Sequence, residues 1–145
     1  MNFRITYIAG AAAISVLFLS GCSGTNVRDE VCTNFASATN ARVLTENQFR
    51  DDSATYEQGS DELEFSATVF QKLFRDEYLS AMKGAKVLKD DEGESALVKK
   101  FISVAAYGED LGDPDAYIER DRDALAVISQ CQAEGVDVQY VDLAD

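Results

Sequence analysis

Between Leu63 and Leu88 the apolar residues fall where an α-helix places one face. Leu63, Ala67, Phe70, Leu73, Phe74, Tyr78, Ala81, Ala85 and Leu88 align at 100° per residue, with no period-two alternation to suit a strand. Ser60 and Asp61 supply the start, and Lys83, Lys86 and Lys89 complement the negative end of the helix dipole. The spacing predicts a helix from 61 to about 89, with Gly84 as the point where it bends or stops. A helix of that length with one apolar face needs partners, and the chain offers three. Val27, Val31, Phe35 and Ala38 follow Asn26, a cap residue with Asp29 and Glu30 in the turn after it, and predict a first helix over 27–44. Leu97, Val98, Phe101, Val104 and Ala105 follow Ser95 and predict a third, ending near Tyr107 and Gly108. Asp113 as cap and Pro114 at the first helical position open a fourth. Its inner face is predicted to hold Tyr117, Ile118, Ala124, Leu125, Ile128 and Cys131, and Gly135 is its stop.

With one proline and few strand signals, the fold expected over 27–135 is an all-α antiparallel four-helix bundle. Residues 45–59 hold Phe49 and Tyr56 without a clear period, as either a loop with a helical turn or a short extra helix. The acidic tail, 136–145, alternates Val136, Val138 and Tyr140 with polar residues and reads as a short extended segment.

The first 22 residues carry a different message. One cation at Arg4 precedes an almost wholly apolar or small run over 5–19, which leads into Leu19-Ser20-Gly21-Cys22. The run is shorter than a membrane-spanning helix usually requires. This stretch resembles the lipobox of bacterial lipoproteins. The resemblance implies cleavage before Cys22, diacylation of its thiol, and attachment to the membrane on the extracytoplasmic side of the cell envelope. On that reading, 1–21 is a lipoprotein signal peptide and 22–26 a lipidated tether of turn formers. Ser23, where an Asp looks like an inner-membrane retention signal in Gram-negative members, permits an outer membrane as well as the cell membrane of a Gram-positive source. The layout of Cys32 in an early helix, a cysteine in the last helix and a Gly-Val-Asp tail is similar to small helical lipoproteins of actinobacteria.

The chain of 145 residues, less its first 21, leaves 124, which suits one domain. Its net charge of −13 becomes −14 once Arg4 is removed. Such a charge disfavours nucleic acid and disfavours lying flat on anionic lipid. It attracts a basic protein or envelope component, and it also serves solubility alone.

Catalytic chemistry is narrowed by what is missing from the residue inventory. The sequence has no histidine, so serine-histidine and cysteine-histidine mechanisms are excluded. It has no Gly-x-x-x-x-Gly-Lys phosphate loop. Acids at Asp110, Asp113, Asp115, Glu119 and Asp121, and the run from Asp90 to Glu94, miss the EF-hand spacing because Gly112 and Pro114 stand where ligands are needed. No metal ligand set and no cofactor is expected from them.

Two groups of residues remain. Arg42, Glu77 and Asp121 each fall on a helix stripe that should face the core. Either they sit near the bundle ends and snorkel to water, the outcome expected first, or an arginine forks between two carboxylates in a buried cluster. Cys32 and Cys131 are the two cysteines left after lipidation, in a chain marked for export, and are expected to form a disulfide. In an antiparallel bundle they meet at the end next to the Cys22 tether. The function these features favour is that of a lipid-anchored, non-catalytic binding or interaction module of the envelope. A carboxylate-only envelope hydrolase, or a small-ligand or cation carrier using the bundle interior, are the alternatives.

Overall fold

The computed structural model describes residues 26–108 and 114–141, with the side chains of 114–117 set apart. Four helices follow one another: α1 (Val27–Thr55), α2 (Asp61–Glu92), α3 (Ala96–Ala106) and α4 (Pro114–Ala133). The helices pack in a ring in which α1 meets α2, α2 meets α3, α3 meets α4 and α4 returns to α1. This is the all-α four-helix bundle the sequence pattern predicts. Between α1 and α2 the contacts advance along one helix as they retreat along the other: Gly84 of α2 lies against Val31 of α1, while Phe70 stacks on Phe49.

The helix starts are written locally. Asn26 accepts from the Arg28 backbone N–H at 3.2 Å, Ser60 from that of Leu63 at 3.3 Å, and Ser95 from that of Val98 at 3.1 Å. Asp113, the cap expected for α4, lies outside the described residues. At the other end of α4, Val136 N–H donates to Cys131 O and Gly135 N–H to Gln132 O, with Gly135 at φ +89°. That pair of bonds is a Schellman stop, and its left-handed residue is why a glycine stands there.

Three expectations need correction. The first helix does not end near residue 44 but continues to Thr55, so 45–55 is neither a loop nor a separate helix. No glycine or proline interrupts the chain between Val27 and Gly59, and the stacked ring of Phe70, 5.6 Å from Phe49, holds the extension against α2. The second helix, α2, does not stop at Gly84 but runs through it to Glu92. A methyl group at Gly84 would come within 2.9 Å of both Phe101 and Val31, so the glycine is there for close packing of three helices. Finally, Ile118 and Leu125 are 67% and 37% exposed and do not belong to the inner face of α4; Arg120, Ala124, Val127, Ile128 and Cys131 form it instead.

The apolar core gathers Cys32, Phe35, Ala81, Leu88, Leu97, Val98, Phe101, Val104, Val127 and Ile128, with Phe35 and Phe101 edge to face at 5.0 Å across the bundle. After α4 the chain turns back as an irregular segment, and 142–145 lie outside the described residues. Its Val136 and Val138 are buried on the core, Gln132 donates to Val138 O at 2.8 Å, and Asn40 of α1 bonds both Gln139 O and Val141 N–H.

Candidate functional site: a buried ionic network and a covalent staple

Cys32, one turn into α1, and Cys131, in the last turn of α4, are joined in a disulfide with Cα atoms 5.9 Å apart. Both are buried, 99 positions apart in sequence. The expected pairing is therefore present, and it ties α1 to α4 at the end where α1 begins.

Ten residues further along α1, about 15 Å at 1.5 Å per residue, Arg42 is 1% exposed. It does not snorkel, contrary to the first expectation. Its guanidinium is forked three ways: Nη1 donates to Glu46 Oε2 at 2.9 Å, Nη2 to Asp121 Oδ1 at 2.6 Å, and Nε lies 3.1 Å from Glu77 Oε2. Glu77 is wholly buried, and the same oxygen lies 2.6 Å from Arg120 Nη2. Arg120 also donates to Phe74 O at 3.1 Å and places its guanidinium carbon 3.4 Å from the centre of the Phe74 ring. Glu46 passes its second oxygen to Arg50, whose side chain reaches the surface. The network thus holds three cations and three anions, from α1, α2 and α4.

Its position follows from the unequal lengths of the helices. Phe101 of α3 packs at Gly84 of α2, and α3 ends at Ala106, about 8 Å further along; Glu77 stands about 10 Å from Gly84 in the same direction. Beyond α3, among the described residues, no fourth apolar stripe closes the core, and charges occupy the space. Burial of ions is costly unless they pair, and an arginine with planar donors in three directions is suited to pairing several carboxylates at once. The carboxylate nearest water is Asp121, with 33% of its side chain exposed. Loss of hydration, together with Glu46 and Glu77, raises its pKa above the ordinary aspartate value, against the pull of Arg42 and Arg120.

Sequence reasoning named Arg42, Glu77 and Asp121, and the structure brings the three together. It missed Glu46 and Arg120. Glu46 is four residues after Arg42 on the same helix, a spacing that places the two side chains in reach; Arg120 falls on the line of Ala124, Val127 and Cys131, at the end where the apolar pattern gives out.

Two acids of the run Asp90 to Glu94 are paired: Glu92 with Arg28 at 2.7 Å and Glu94 with Lys89 at 3.1 Å. Much of the stretch from Asp110 to Asp121 lies outside the described side chains; among those described, no group of three or more acids or cysteines is placed to hold a metal ion. A groove of about 140 Å³ opens on the surface between α1 and α2, with Val31 and Gly84 in its floor and Glu30 and Lys83 at its rim. Cys22 and the rest of the lipobox stretch lie outside the described residues. Among those described, no helix is long and apolar enough to cross a membrane.

No protein-family model matches the chain, and neither a curated protein nor a solved structure shows significant similarity to it.

Proposed function

We propose that the chain is a lipid-anchored lipoprotein of the cell envelope, held on the extracytoplasmic side through Cys22, and that its helical domain is a non-catalytic binding or interaction module. The observation that carries the second half is the ionic network. Its buried carboxylates, Glu46 and Glu77, are engaged by Arg42, Arg50 and Arg120, and its arginines are engaged in turn. A general acid or base must exchange protons with a substrate at working pH. Carboxylates buried between helices and clasped by guanidinium groups are out of a substrate's reach. The arrangement suits holding three helices in register. The disulfide supports the first half, since such bonds persist in exported proteins, and the lipobox motif Leu19-Ser20-Gly21-Cys22 supplies the anchor. Basic proteins or envelope polymers are the partners that the acid surplus favours.

The anchor is tested by intact mass and detergent partitioning of the wild type and Cys22→Ala. The wild type should be cleaved, acylated and detergent-soluble, and the variant uncleaved and unacylated. Equal masses for both, apart from the substitution itself, would refute the anchor. For the module, crosslinking in native membranes should give a discrete adduct with an envelope component; turnover of an envelope polymer by the purified protein would overturn the non-catalytic reading.

A further inference from the structure

The chain is acidic as a whole, yet its cations are gathered unevenly: all six lysines lie on α2 and α3. Along α2 the positions 72, 75, 79, 82, 86 and 89 recur at alternating intervals of three and four, which on a 3.6-residue helix draws one straight line about 26 Å long. Lys72, Arg75, Leu79, Met82, Lys86 and Lys89 fill it, and all six are exposed, Leu79 at 44% and Met82 at 46%. Two cations, two apolar side chains and two cations succeed one another, with no carboxylate on the line.

The opposite face of α2, with Phe74, Glu77, Ala81, Gly84 and Leu88, is the one turned into the bundle. Among the described residues no helix packs over the outer line. Lys72 pairs with Asp76 at 3.2 Å and Lys89 with Glu94 at 3.1 Å, both exposed pairs of a kind that exchanges readily with other anions. Long aliphatic stems let lysine and arginine carry their charge outward beside an apolar contact. A straight, convex ridge of this composition fits a flat anionic surface better than a grooved partner, as basic amphipathic helices do. The overall charge of −13 repels such a surface everywhere else, so it turns this ridge toward it.

We propose that the outer face of α2 rests on an anionic lipid surface, with Lys72, Arg75, Lys86 and Lys89 at the headgroups and Leu79 and Met82 set between them. The placement rests on the lipoprotein reading, because a lipid at Cys22 delivers the correct end of the helix. Arg28, six positions after Cys22, pairs with Glu92 at the end of α2.

The sequence contains no tryptophan, so Met82→Trp provides a single fluorescent reporter, with Ser129→Trp on exposed α4 as its control. The full chain is reconstituted in vesicles of phosphatidylcholine, with or without a minority of phosphatidylglycerol. The Met82→Trp reporter should shift to the blue and lose quenching by acrylamide several-fold only when the anionic lipid is present, and raised salt should reverse this. The Ser129→Trp reporter should be the same in both. Combined Lys72→Glu, Arg75→Glu, Lys86→Glu and Lys89→Glu should abolish the shift. Equal quenching in the two lipids would overturn the proposal, as would shielding that survives charge reversal or that appears only when other membrane proteins are added, which would mark a protein partner. Intact mass of the same preparation reports acylation separately. An unacylated chain with a lipid-shielded reporter would sink the anchor and spare the face, and an acylated chain without shielding would do the reverse.

Discussion

The two ends of this bundle are held by different physics. At the end where α1 starts and α4 finishes, four helices close around Cys32, Phe35, Leu97, Val98, Phe101 and Val127, and a covalent bond completes the closure. Past the last turn of α3, three helices meet around Arg42, Glu77 and Arg120 with Glu46 and Asp121. The first end is stabilised by apolar area removed from water, which is lost in proportion to the area exposed. The second is stabilised only while its charges match, because each buried ion depends on its partners to offset dehydration. The comparison teaches why the charges are where they are. Where α3 no longer supplies an apolar side, mutually paired charges fill the space, and of their carboxylates Asp121 alone is substantially exposed.

Three measurements can break or sharpen this contrast. The largest effect is expected from Arg42→Ala, which leaves Glu77, Glu46 and Asp121 without their shared cation. Urea melts should show a loss of about 3–5 kcal/mol, whereas a loss under about 1 kcal/mol would mean the network contributes no more than surface pairs do. Next comes the staple. Replacing Cys32 and Cys131 together by Ala should cost about 2–4 kcal/mol, mainly by freeing a long loop in the unfolded chain. The two ends lie about 15 Å apart along α1, so the triple variant with Arg42→Ala should lose close to the sum of the two; strong non-additivity would show that they are one cooperative unit.

The smallest effect concerns acid. The pKa of Asp121 is raised by folding, so between its unfolded and folded values the native protein holds more proton than the unfolded chain. Its contribution is therefore fully present below the unfolded pKa and is lost as pH rises through the folded one. Melts of the wild type and Asp121→Asn across the acid range should show the wild type gaining on the variant as pH falls through the folded value. A gain in the opposite direction would reverse the assignment of dehydration as the leading cause.

The helices were legible because caps and stripes are local: Asn26, Ser60 and Ser95 announce starts, Gly135 a stop, and the stripes of α2 and α3 name Leu88, Phe101 and Val104 as core. The disulfide was legible too, since cysteine count, the expectation of export and helix order all pointed to it. The second half of α1 was hidden, because residues 45–55 carry a weaker apolar period, with Phe49 stacked on Phe70 of α2. What the sequence by itself determined is thus the helical class, the helix starts and the residues able to pair. The tertiary structure decided whether charged residues on an inward stripe reach water or one another. That choice depends on α3 ending short of its neighbours, a fact about lengths and packing that no local pattern records. It buried Arg42 rather than letting it snorkel, added Glu46 and Arg120 to the network, and turned Ile118 outward.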